Sequence, residues 1–164
     1  MEPLDLVRVS LDHPDAQVLV AGVQQVYVER YGGTDDSPMD VAAFEDPTGE
    51  FYVGYLDGVP VVSGAWRRES TPAGVAQGPC AEVKRMFVVE SHQGRGLARA
   101  MLAHVERTAY AAGIATLILE TGLRQPEAIG LYESSGYTPI PNFGFHRDEP
   151  LSLCYAKALG TTTL

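Results

Sequence analysis

The sequence predicts an α+β fold, a central mixed and twisted sheet of about seven strands flanked by about four helices. Three observations predict it. A strand-like run, a helical run and a second strand-like run follow one another between residues 81 and 121, which is the right-handed crossover that makes two strands parallel. Asp57-Gly58 sits between two alternating runs and is a strong hairpin signal, so other strands must be antiparallel. The 164 residues are 45% hydrophobic, enough for one globular domain with its own core.

Each element follows from local chemistry. Leu6 to Leu11 is a short apolar strand, after which Asp12 or His13 can cap a helix and Pro14 suits its first turn. Val18, Leu19, Gly22, Val23, Val26 and Tyr27 recur at three-and-four spacing, which predicts an amphipathic helix ending at Tyr31-Gly32-Gly33. The polar loop TDDSP leads to a short helical piece, Met39 to Phe44. GEFYVGYL and VPVVSGAWRR form the hairpin, ESTPAGVAQGP is a loop, and AEVKRMFVV is a strand of β-branched and aromatic residues. Leu97 to Ala112 is a helix stopped by Gly113, TLILET is a buried strand, and Pro126 to Ser135 is a helix stopped by Gly136. YTPI and LSLCYAKAL are the last strands, separated by the loop PNFGFHRDEP.

Charge narrows the function. The net charge is -9, yet Lys84, Arg85, Arg95, Arg99 and Arg107 outnumber Glu82, Glu90 and Glu106 between residues 82 and 107. An acidic chain argues against binding nucleic acid, which needs a broad basic face. A small positive island instead suits one anionic small molecule, although a solvated helix face can carry the same charges. Cys80 and Cys154 have no paired spacing for a metal or redox site and read as reduced thiols. The N-terminus lacks an apolar run of signal-peptide length and no segment reaches membrane-spanning length, so a cytoplasmic protein is expected.

The stretch SHQGRGLARAML places two glycines and two arginines where a strand turns into a helix. The first amides of a helix have no internal partner and the helix dipole is positive there, so the backbone forms an anion site. Glycines allow close approach, and Arg95 and Arg99 add mobile charge suited to phosphate. A dinucleotide fingerprint starting at Gly94 would need glycine where Arg99 stands, and the Gly-Lys-Ser/Thr ending of a Walker loop is absent. A plain tight turn would use the same glycines without any ligand.

EVKRMFVVESHQGRGLARAML resembles motif A of the GNAT superfamily of N-acetyltransferases, with Gln93, Gly96 and Ala98 matching its Gln/Arg-x-x-Gly-x-Gly/Ala pattern. QPEAIGLYESSGYTPI resembles motif B, with Ala128, Tyr132, Gly136 and Tyr137 in place and Gln125 where asparagine is common. The two motifs stand in order and at a fitting separation. The resemblance implies the GNAT-type sheet with helices on both faces, and acetyl-coenzyme A (acetyl-CoA) as cofactor. Its pyrophosphate is expected on the amides from Gly94 through Arg95, Gly96, Leu97 and Ala98 to Arg99. Its pantetheine arm is expected along Phe87, Val88 and Val89, where the family's sheet splays from the next strand.

The implied reaction is direct attack of a primary amine, from a small molecule or a peptide, on the thioester, with a backbone donor meeting the developing oxyanion. Tyr132 matches the family's general acid, and a buried aromatic with no catalytic part is its structural alternative. Glu82 is a candidate base, directly or through water, and equally a rim charge paired with Arg67, Arg68 or Lys84. The acceptor is expected near Tyr31, Gly32, Gly33 and Asp35 and near Asn142, Phe143, Phe145 and His146. A catalytically silent acyl-CoA-binding module of the same fold is the alternative. A homodimer is open to this fold by analogy.

Overall fold

The computed structural model describes residues 3–36 and 39–160; Ser37 and Pro38, the end of the TDDSP loop, and 161–164 lie outside the described residues. The strands are β1 (Asp5–Val9), β2 (Gly49–Leu56), β3 (Val59–Glu69), β4 (Cys80–Val88), β5 (Thr116–Gly122), β6 (Thr138–Ile140) and β7 (Ser152–Ala158). The helices are α1 (Pro14–Tyr31), α2 (Leu97–Ala111) and α3 (Pro126–Ser134). Three α-helices are thus found among the described residues where about four were expected. The expected fourth, at 39–44, is a single 3-10 turn at Val41–Phe44, capped by Asp40. So short a run, ending at Glu45-Asp46-Pro47, cannot propagate α-helical bonding, and it serves to drop the Phe44 ring into the core.

The seven strands form one mixed sheet in the order β1-β2-β3-β4-β5-β7-β6. Asp57 and Gly58 both take positive φ (50° and 76°), as the tight turn between β2 and β3 demands. The crossover through α2 makes β4 and β5 parallel. β7 returns between β5 and β6, antiparallel to both.

Two apolar layers cover the sheet. On one face Leu97, Met101, Leu102, Val105 and Ala109 of α2, with Tyr132 of α3, pack on Val62, Trp66, Val83, Leu117 and Leu119. On the other, Ala16 and Leu19 of α1 and Phe44 pack on Phe51, Val53 and Ala65. His13 caps α1, its Nδ1 accepting from the Asp15 amide at 3.0 Å. The expected apolar stripe of α1 is only partly inward: Ala16, Leu19 and Val23 are buried, but Val18 is 62% exposed.

One local irregularity positions the site. β4 and β5 pair only through Cys80↔Thr116, Ala81↔Leu117 and Glu82↔Ile118, and then part. Just beyond, the β3–β4 register slips between Ser63 and Ala65, so two residues of β4, Arg85 and Met86, lie opposite Gly64. Arg85 takes φ 56°, a left-handed conformation that costs about 1 kcal/mol or more in a non-glycine residue. Ser63 holds it there, its buried hydroxyl donating to the Arg85 carbonyl at 2.7 Å. Gly64 is required opposite, since a Cβ would lie 2.6 Å from Met101 Cγ and 2.8 Å from Met86 Sδ. The bulge bends β4 away from β5 and opens the sheet from one face to the other.

Candidate active site

A cavity of about 340 Å³ fills the opening. Its β4 wall is Glu82 to Met86 and its β5 wall is Glu120 to Gly122. α3 adds Ala128 and Tyr132 from one face, while Tyr27 and Tyr31 of α1 close it from the other. Asp35, His146, Glu149, Leu151 and Ser152 complete the rim.

Tyr132 is 6% exposed and packs edge-on against Tyr137 at 5.7 Å. Its hydroxyl has no hydrogen-bond partner among the described residues and opens onto the cavity. Burial pushes this phenol well above its ordinary range, with Tyr27 across the gap adding to the effect, so it stays protonated at any working pH. Burial also pushes Tyr27 up, to about 12.

Two carboxylates face the same space from the two parted strands. Glu82 is held by Arg67, Nη2 to Oε1 at 3.2 Å, with Lys84 Nζ 4.0 Å from its other oxygen. Glu120, on β5, has no hydrogen-bond or ion-pair partner among the described residues. Burial pushes its carboxyl up to about 7; His146 and Lys84 oppose that rise, and Glu82 and Asp35 add to it. Sequence reasoning missed Glu120. The available signal was one charge inside TLILET, a strand otherwise built to be buried.

The rim is tied together through Asp35. Its carboxylate receives Arg85 Nη1 at 2.9 Å and lies 2.7 Å from His146 Nε2, and the Gln24 side chain bonds both its N–H and its carbonyl, at 2.8 and 3.1 Å. This joins the loop after α1, the β4 bulge and the 141–151 loop. Tyr31 bridges the two halves of the split sheet: its hydroxyl accepts from the Arg124 amide at 3.2 Å and from Gln125 Nε2 at 3.4 Å. Arg30 adds bonds to the Arg124 carbonyl and to Glu127.

The cavity therefore brings together Tyr31, Gly33, Asp35, Glu82, Gln125, Ala128, Tyr132 and His146 from the expected set. Gly32 is the left-handed C-cap of α1 (φ 79°), and Gly33 lines the cavity in its place. Phe143 and Phe145 belong to the rim loop but do not line the cavity; Phe145 is 61% exposed and stands edge-on to His146 at 4.8 Å. Phe87 turns its ring onto α1, where a Cβ on Gly22 would meet it at 2.6 Å, and Phe87, Val88 and Val89 lie beyond the residues that line the cavity.

Gly94, Arg95, Gly96, Leu97, Ala98 and Arg99 lie past the end of β4, in the turn and first helical turn of α2. Among the described residues their amides have no acceptor, since the first bond of α2 is Ala100 N–H to the Gly96 carbonyl. Gly94 and Gly96 both take φ 78°, and nothing lies within 4 Å of where their Cβ atoms would be. Gln93 braces the turn by donating to the Val88 carbonyl at 3.1 Å. Arg99 is anchored on Ser135 and Ser134 at 3.1 and 2.8 Å. Free amides, positive φ and open space fit a diphosphate.

The profile of the acetyltransferase (GNAT) family matches residues 20–137. The chain belongs to this family. It is 31% identical over 156 residues to an "IAA acetyltransferase" of Azospirillum brasilense, covering 93% of this chain and 98% of that protein. It superposes on a Klebsiella pneumoniae protein with a TM-score of 0.77 at 24% identity, over 95% and 97% of the two chains. YncA of Salmonella typhimurium, solved with its cofactor acetyl-CoA, gives 0.69 at 17% identity over 98% and 97%. This GNAT chain is an acyltransferase, and its cofactor is acetyl-CoA.

Proposed function

We propose that this GNAT enzyme moves the acetyl group of acetyl-CoA to a primary amine of a small molecule or peptide, with Tyr132 as general acid. One observation carries the reading. β4 and β5 part after Glu82↔Ile118, and an unpartnered phenol from one face reaches the same cavity as an unpartnered carboxyl, Glu120, on β5.

When bound, acetyl-CoA supplies an activated acyl group on a thioester. The amides from Gly94 to Arg99 hold its diphosphate, and the free edge of β4, through Phe87, Val88 and Val89, runs from there toward the cavity. An acceptor ammonium first loses one proton to a carboxylate. Glu120 suits that step better than Glu82, because the Glu82 carboxylate is already engaged by Arg67 and Lys84 while that of Glu120 is open to the acceptor. The neutral nitrogen then forms the C–N bond as the C–S bond breaks. Tyr132 protonates the departing sulfur, and a second proton leaves the nitrogen as the amide forms. One proton is released in total, and coenzyme A departs as a thiol.

Release of coenzyme A thiol, followed with an amine panel in wild type, Tyr132→Phe and Glu120→Gln, tests this. Amine-dependent release that falls in both variants supports it. Release indifferent to both substitutions removes Tyr132 and Glu120 from the chemistry, and no release with any amine despite cofactor binding favours a silent acyl-CoA-binding module.

A further inference from the structure

We propose that the acceptor is a dication, an aliphatic diamine or polyamine, with its reacting nitrogen at Glu120 and a second ammonium at Glu149. This rests on the acetyltransferase reading above and names the substrate class of that same cavity.

The charges on the cavity wall carry the argument. Four carboxylates line it, Asp35, Glu82, Glu120 and Glu149, against the cations Lys84 and Arg85 and the titratable His146. Both cations are already engaged: Arg85 by Asp35 at 2.9 Å and Lys84 beside Glu82 at 4.0 Å, with Arg67 also on Glu82 at 3.2 Å. His146 shares the same Asp35. The carboxylates of Glu120 and Glu149 hold no hydrogen bond or ion pair among the described residues. An independent observation ties this space to the chemistry: Tyr132, more than nine-tenths buried, presents an unpartnered hydroxyl to it.

An acceptor with a distal carboxylate or phosphate meets no unengaged cation here and faces surplus negative charge. A monoamine satisfies Glu120 and leaves Glu149 unmatched. A second ammonium matches both, and Met86, Ala128 and Leu151 of the same lining offer apolar surface for its methylenes. The exposed position of Glu149 makes its ion pair partly screened, so its effect on kcat/KM should be modest and measurable.

The test uses three acceptors that share a reacting amine and a four-carbon chain: butylamine, 1,4-diaminobutane and 4-aminobutanoate, followed by a length scan of α,ω-diamines. Acetyl-CoA binding is measured in parallel by calorimetry. The best diamine is expected to exceed its monoamine in kcat/KM by roughly 3- to 10-fold, and 4-aminobutanoate to fall below both. Glu149→Lys should reverse the diamine-to-aminobutanoate preference, while Glu149→Asp should keep it. A diamine no better than the monoamine, or 4-aminobutanoate matching either, overturns the proposal. So does absence of turnover with all of these compounds while acetyl-CoA binds, which leaves the cofactor reading standing. Failure to bind acetyl-CoA removes both.

Discussion

Glu120 sits where burial and two neighbouring carboxylates favour its neutral form, and this has consequences for both rate and stability. As a base it works only when ionised, so kcat/KM should rise through about pH 7 and lose that acidic limb in Glu120→Gln. The folded state also keeps this proton at a pH where the unfolded chain has lost it. Between the ordinary carboxyl range and about pH 7 the folded state therefore binds more protons, and stability falls as pH rises. Glu120→Gln should then melt higher than wild type at about pH 8, by on the order of 1 kcal/mol after allowing for partial exposure. The difference should close below about pH 4, which thermal scans at the two pH values will show. Tyr132→Phe keeps the ring that packs on Tyr137 and removes only the hydroxyl. It should lower kcat by about 10- to 1000-fold with acetyl-CoA affinity retained, read by steady-state kinetics beside calorimetry.

At the scale of elements, the turn into α2 separates strain from charge. Gly96→Ala enters open space and meets only the cost of a positive φ, roughly 1 kcal/mol. Gly96→Asp adds an anion where the diphosphate is held. Acetyl-CoA affinity should fall at least 10-fold further in the aspartate variant than in the alanine one, by calorimetry. The joint between α1 and the β5–α3 turn is as tight as the turn is open: a Cβ at Gly122 would lie 1.8 Å from the Tyr31 hydroxyl. Gly122→Ala should cost about 1–3 kcal/mol in thermal unfolding as the two halves of the split sheet are forced apart.

The elements themselves were largely legible in the sequence, because glycine and proline mark so many of their ends: Pro14 and Gly32, Gly58, Gly113, Pro126 and Gly136. The pieces that were not legible depend on contacts between distant segments. The outward turn of Val18 reflects a helix with apolar residues on several sides, which spacing cannot orient. The 39–44 piece had the composition of a helix but not the length. Glu120 belongs to the site because β4 leaves β5 after Glu82, just before the Arg85 bulge, and that bulge rests on Ser63 and Gly64 of a third strand. Tyr132 and the Gly94 to Arg99 turn were legible because each stands in a motif. The rim network of Asp35, Arg85 and His146 spans 111 residues of chain and has no local pattern.

For the whole molecule, the opened sheet is both the binding slot and the passage between the two faces. Cofactor should seal it, so hydrogen exchange at the part of β4 that does not pair with β5, residues 83–88, should slow when acetyl-CoA is added, while β2 changes little. The most direct test is a crystal structure with coenzyme A bound. The diphosphate should rest on the amides from Gly94 to Arg99, and the sulfur should lie between β4 and β5 within hydrogen-bond reach of the Tyr132 hydroxyl. A diphosphate bound elsewhere, or a sulfur that does not enter the gap beside Tyr132, would contradict the account.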